Sequence, residues 1–189
     1  SPDLAINPLQ RHQEFADLID RTHQHGLKVV IDFVPNHVAR TYQSDQKPSG
    51  VIDLGSNDNK EKAFDPQNNF YYIPNCTLKL PVEGDDYHER PAKVTGNDIF
   101  SAEPGIFDWY ETIKLNYGID YLNNNTPYFD PIPDTWLKMV DILLFWSAKG
   151  VDGFRCDMAG MVPPAFWNFA IGKVKEQYPE SIFIAEIYE

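Results

Sequence analysis

The sequence predicts an α/β fold, with a parallel sheet backed by helices. Two observations carry that expectation: helix-like and strand-like segments alternate, and two strand ends stand one strand-plus-helix unit apart. Residues 10–26 have helical spacing, with Phe15, Leu18, Ile19 and Thr22 on one face and Gly26 as a stop. Residues 28–34, KVVIDFV, are apolar on both faces, the pattern of a buried parallel strand. Residues 135–149 predict a second helix, with Asp134 as N-cap after Pro133 and Gly150 as its end. Trp136, Leu137, Val140, Leu143 and Leu144 should pack that helix on the sheet. Residues 151–156, VDGFRC, read as the next strand. Pro163 and Pro164 open a third helix running to about Tyr178, and SIFIAE (181–186) is a further strand.

The distance from Asp157 to Glu186 fits one unit of a (β/α)8 barrel, roughly 31 residues. The distance from Asp32 to Asp157 is far longer. The chain is therefore expected to hold part of a TIM barrel, in residues 1–40 and 133–189, interrupted by an insert at 41–132. The insert is rich in Asn, Asp, Pro, Gly and aromatics, as in NNFYYIPN, IFDWYE and NYGIDYLNNNTPYFDP. A structureless loop of that length is implausible in a compact domain, so it should be a small irregular subdomain over the barrel mouth.

The formal net charge of −12 argues against a nucleic-acid partner, which needs a basic face. Two cysteines, Cys76 and Cys156, make neither a disulfide framework nor a metal cluster. No run approaches the roughly 18 apolar residues of a membrane span. Location stays open between secreted, periplasmic and cytoplasmic.

In such barrels, polar residues at the C-terminal ends of strands face the active site. The first strand here ends in Asp32, then Asn36 and His37. The second gives Arg155 and Asp157, on one face because side chains alternate. The third gives Glu186. Asp157 and Glu186, on adjacent strands about 4.8 Å apart, can reach the roughly 5–5.5 Å separation that retaining glycosidases use. Arg155 would keep Asp157 ionised. Glu186 follows the apolar run IFIA, which is expected to raise its pKa into the range of a usable acid. Taken singly, Arg-x-Asp is usually a salt bridge, a Glu ending an apolar strand is often a surface residue, and Asn36–His37 reads equally as turn chemistry. Their joint placement at barrel spacing is what points to a site.

These segments resemble those of the α-amylase family, glycoside hydrolase family 13. IDFVPNHVA (31–39) resembles its first conserved segment. GVDGFRCDMA (150–159) resembles the second, and FIAEIYE (183–189) the third. INP (6–8) resembles the stretch before the second barrel helix, and TIKLN (112–116) the fifth segment. The resemblance implies strands three to five of the barrel, with the insert as the family's domain B. It implies Asp157 as nucleophile and Glu186 as general acid/base. Arg155, His37 and Asp32 become substrate-binding residues, Asp32 and Asn36 shape the strand end, and an α-glucan is the partner. Tyr71, Tyr72, Trp109 and Tyr110 of the insert could stack on sugar faces or simply form that subdomain's core.

The chain departs from the family pattern in three places. Gly160–Met161 stand where many relatives have Lys-His. Lys114 stands where calcium-dependent amylases carry a calcium-binding Asp, as in the neopullulanase and cyclomaltodextrinase branch. Calcium is therefore disfavoured, no metal ligand is assigned and no cofactor is required; Lys114 is expected near the Asn36 carbonyl oxygen as a fixed cation. The family's third catalytic Asp is expected beyond residue 189, so residues 1–189 alone should be inactive. A transglycosylase, or a catalytically dead relative acting as a binding subunit, are the alternative readings.

Overall fold

The computed structural model describes residues 10–44, 47–82, 84 and 86–188. The INP segment at 6–8 lies outside them. Helix α1 (Arg11–Gln24) leads into strand β1 (Val30–Phe33) and a short strand β2 (His37–Ala39). An irregular stretch follows, holding β3 (Tyr72–Ile73), β4 (Ala92–Lys93), β5 (Thr112–Lys114), β6 (Ile119–Asp120) and β7 (Thr126–Pro127). The chain then runs through α2 (Asp134–Ala148), β8 (Gly153–Cys156), α3 (Pro164–Gln177) and β9 (Ile182–Ala185).

Strands β1, β8 and β9 form one parallel three-stranded sheet in that order. Asp32 lies opposite Arg155, and Cys156 opposite Ala185. One face of the sheet packs on the helices. Phe33 and Phe154 meet edge to face, Phe154 meets Phe183, and Trp136 of α2 meets Phe166 of α3. These side chains belong to one core that also takes in Ile19, Leu143 and Val174. The other face is open, with Val30 38 % and Ile184 49 % exposed.

The helix stops fall where the glycines put them. Gly26 (φ 71°) donates its N–H to the His23 carbonyl, and Gly150 (φ 93°) donates to that of Ser147. Pro164 starts α3 as its first residue.

Four expectations change in the structure. The 28–34 strand is shorter and is buried on its helix face only, because its neighbours cover one side of the sheet. Leu18 is exposed, since α1 buries only Ile19 fully. Leu137 also faces outward. Asp134 is the first residue of α2 rather than its N-cap, a place taken by Pro133; its carboxylate instead pairs with Lys138 and accepts from the Asn69 side chain.

The irregular stretch is tied together by short ladders and buried polar groups. β2 pairs antiparallel with β5, β3 with β4, and β6 with β7. The Asp58 carboxylate accepts from the Asn69 and Phe70 N–H groups and the Tyr72 hydroxyl. Arg40 and Glu89 form a buried ion pair at 2.6 Å, and Lys93 joins Glu89 at 3.0 Å.

Candidate active site

The parallel ladder carries past the ends of its strands and fixes the carboxylates. The Asp157 N–H donates to the Phe33 carbonyl and the Glu186 N–H to that of Cys156. The Glu186 carbonyl accepts from Ala159. Met158, between them, takes a left-handed backbone (φ 47°) that turns the chain into a short 3-10 turn, Ala159–Met161. The indole of Trp167 donates to the Ala159 carbonyl and braces that turn from α3.

Arg155 stands at the centre. Its Nη1 lies 2.8 Å from Asp157 Oδ1 and 3.4 Å from Asp32 Oδ1, while its Nη2 contacts Glu186 Oε1. Partial desolvation opposes the cation, but the carboxylates of Asp157, Glu186 and Asp32 outweigh it and raise the guanidinium pKa. Asp32 is the most open member, its side chain 66 % exposed.

Glu186 departs from expectation. Its pKa is lowered, not raised. The Tyr188 hydroxyl donates to Oε1 at 2.7 Å, the Met158 N–H donates to Oε2, and Arg155 and a hydrogen bond with Asp157 act in the same direction. These donors outweigh the apolar run before it, because the carboxylate projects beyond the strand into a polar, partly solvated corner. Tyr188 carries no signal in spacing or composition that marks it for this place.

His37 and Lys114 reach the site from the β2–β5 ladder, where they are register partners. The His37 ring sits 5.3 Å from that of Trp109. Burial lowers its pKa; the charge of Asp157 opposes this and that of Lys114 adds to it. Asn36 is fully buried. Its side-chain oxygen accepts from Lys114 Nζ at 3.1 Å, and its amide nitrogen donates to the Gly96 carbonyl at 2.7 Å. The Lys114 side chain is 2 % exposed, and its ammonium lies 2.5 Å from Asp98 Oδ1. The expected lysine–asparagine contact is thus present, through the side-chain carbonyl. Asp98, which neutralises the lysine, comes from a turn the sequence does not single out.

Tyr71 and Tyr72 are not sugar platforms. Both are buried, their hydroxyls donating to the Ile119 carbonyl and to Asp58. Trp109 and Tyr110 are half-buried, and Trp109 borders His37. Gly160 is exposed and Met161 half-buried on the turn after Asp157.

Strand-plus-helix units with acidic groups and an arginine gathered at the strand C-termini define a β/α enzyme-type site. Residues 10–184 match the alpha amylase catalytic domain. The chain belongs to the α-amylase family. It is 27 % identical over 185 residues to an alpha-1,4-glucan:maltose-1-phosphate maltosyltransferase of Cereibacter sphaeroides, covering 97 % of this chain and 23 % of that protein. It is 28 % identical over 146 residues to an alpha-glucosidase of Culex pipiens, covering 76 % of this chain and 21 % of that one. In fold it is similar to a debranching enzyme of Nostoc punctiforme, with a TM-score of 0.60 and 21 % identity over 94 % of this chain and 29 % of that one. The chain thus spans less than a third of the length of these relatives. No helix among the described residues is long and apolar enough to cross a membrane.

Proposed function

We propose that this chain is the central part of the catalytic barrel of an α-glucan-active enzyme that cleaves α-glucosidic bonds with retention. Its sheet supplies strands three to five of the (β/α)8 barrel, and residues 41–132 are domain B. The observation that carries this reading is one guanidinium, Arg155, contacting both Asp157 and Glu186 at the ends of adjacent parallel strands.

In the first step protonated Glu186 gives its proton to the glycosidic oxygen. The bond from that oxygen to the anomeric carbon breaks as an Asp157 oxygen attacks the carbon, leaving a glycosyl ester. In the second, Glu186 takes a proton from water, the water oxygen attacks the same carbon, and Asp157 departs. Two displacements restore the α configuration. Glu186 favours its ionised form in the open site. A sugar entering between the carboxyls displaces Arg155 from it and excludes water, which raises its pKa for the acid step. Arg155 then stays on Asp157, Asp32 steadies Arg155, and His37 hydrogen-bonds the sugar at the cleavage subsite. The third carboxylate of the family pattern would come from beyond residue 189.

The residues do not fit a calcium bridge between the insert and β1. Calcium takes six to eight oxygen ligands and favours anionic ones. Here an ammonium, Lys114 Nζ, holds Asn36 Oδ1 and has Asp98 as counter-ion. EDTA is therefore expected to leave activity and Tm unchanged; a loss of both that calcium restores would overturn this part of the reading.

A transglycosylase, in which a sugar hydroxyl replaces water, is the second reading, favoured by the similarity to the maltosyltransferase. Chain-length analysis of products from maltoheptaose separates the two. The test of the main reading is made in the full-length protein. Asp157→Asn and Glu186→Gln should each lower kcat on maltodextrin by roughly three orders of magnitude or more, with the fold intact. Near-wild-type turnover in either variant would sink the assignment.

A further inference from the structure

We infer that Lys114, held by Asp98, is a positioning residue that sets the tautomer of His37 through the amide of Asn36. Only the ligand that His37 meets rests on the reading above.

Asn36 has a side-chain oxygen and nitrogen that a half-turn would exchange, so its orientation must come from its neighbours. Burial lowers the Lys114 pKa, but Asp98 opposes this and favours the ammonium, which has donors and no acceptor lone pair and lies 3.1 Å from Oδ1. The Gly96 carbonyl, an acceptor only, lies 2.7 Å from Nδ2. The reversed amide would set its N–H groups against an ammonium and its oxygen against a carbonyl. With both environments buried, no water relieves either clash.

The amide nitrogen so fixed also faces His37 Nδ1, at 3.3 Å. Nδ2 carries only hydrogens, so Nδ1 must accept. In the neutral ring the proton then lies on Nε2. The ring has little freedom to evade this contact. Trp109 flanks it, and the backbone at Gly96 presses so close that a Cβ there would lie 2.9 Å from His37 Cβ and 3.0 Å from Cγ. His37 therefore presents a fixed Nε2–H donor, oriented before a sugar oxygen arrives. Lys114 does not touch the substrate in this account. It holds the amide that holds the ring.

The test reads the tautomer directly, in full-length protein labelled with 15N-histidine, by long-range proton–nitrogen correlation. The His37 signal is identified by its loss in His37→Gln. The resting wild type is expected to show a single neutral Nε2–H form. A dominant Nδ1–H form, or an imidazolium at neutral pH, overturns the proposal without any further variant. In Lys114→Met the amide loses its anchor, and the Nδ1–H form should appear alongside Nε2–H. KM for maltoheptaose should rise roughly tenfold, with kcat changed less. A folded Lys114→Met with one Nε2–H form and wild-type KM overturns it. Asn36→Asp, nearly isosteric, turns the donor facing Nδ1 into an acceptor and should drive the ring to Nδ1–H; a folded variant keeping Nε2–H alone also overturns it. The tautomer is read without substrate. A failure of the catalytic assignment shows instead as active Asp157→Asn or Glu186→Gln, so the two failures are distinguishable.

Discussion

At Glu186 four neighbours favour the charged form, and the Tyr188 hydroxyl is the first of them. Tyr188→Phe removes that donor and keeps the ring. The pKa of Glu186 must then rise, since a hydrogen bond to the carboxylate stabilises only the ionised state. On the proposed mechanism Glu186 is protonated for the first step, so the basic limb of kcat/KM should move to higher pH in the full-length variant. A profile that superimposes on wild type would show that the Tyr188 hydroxyl does not hold down the pKa of Glu186. This residue also marks the limit of what can be read from a sequence. Arg155, Asp157 and Glu186 are legible because each ends a strand, and strand ends converge. Tyr188 and Asp98 are not, because their roles depend on where a loop folds back. Asp98 sits in a turn with a left-handed backbone (φ 69°), and nothing in its spacing points to Lys114. The opposite direction at Glu186 has the same origin: the apolar run before it is visible in the sequence, while the Met158 N–H and the Arg155 guanidinium reach it from the neighbouring strand end.

At the scale of elements, the close approach of β8 to β9 sets the distance between the two carboxylates. Gly153 allows that approach. A Cβ there would lie 2.5 Å from the Ile182 carbonyl oxygen and 2.8 Å from Ile182 Cβ. Gly153→Ala must therefore push the strands apart, at a cost of roughly 1–3 kcal/mol by analogy with overpacked cores. A lowered Tm with a disproportionate loss of kcat is expected; unchanged thermal melting and kinetics would contradict the crowding. In the insert, Asp58→Ala leaves two N–H groups and a tyrosine hydroxyl without their acceptor. It should destabilise the protein by roughly 2–4 kcal/mol, measurable by denaturant unfolding. The three helices and the parallel strands are legible because glycine stops, proline starts and apolar runs announce them. Strands of two or three residues such as β3, β6 and β7 have no periodicity to read. They exist because distant segments supply partners, as Tyr72 finds Lys93.

For the whole molecule, the open sheet face decides behaviour. Val30 and Ile184 lie exposed on it, and unpaired strand edges template further pairing. Residues 1–189 produced alone are expected to self-associate and to lack activity on starch. A monomer that melts cooperatively and cleaves starch would refute both the barrel placement and the need for a third carboxylate. The β2–β5 ladder has a consequence of another kind. It closes the first part of the irregular stretch at its neck, so the chain between Arg40 and Glu111 leaves and returns at a fixed gate; the Arg40 N–H bonded to the Glu111 carbonyl marks the latch. For a loop already closed, doubling its length costs only about 0.6 kcal/mol in chain entropy. Natural variation can therefore lengthen or shorten turns beyond the latch, provided that Gly96, Asp98 and Trp109 stay against Asn36, Lys114 and His37. Descendants can try new rims on an unchanged hearth, and a grafting experiment that cuts at that latch must carry the 95–109 segment with it.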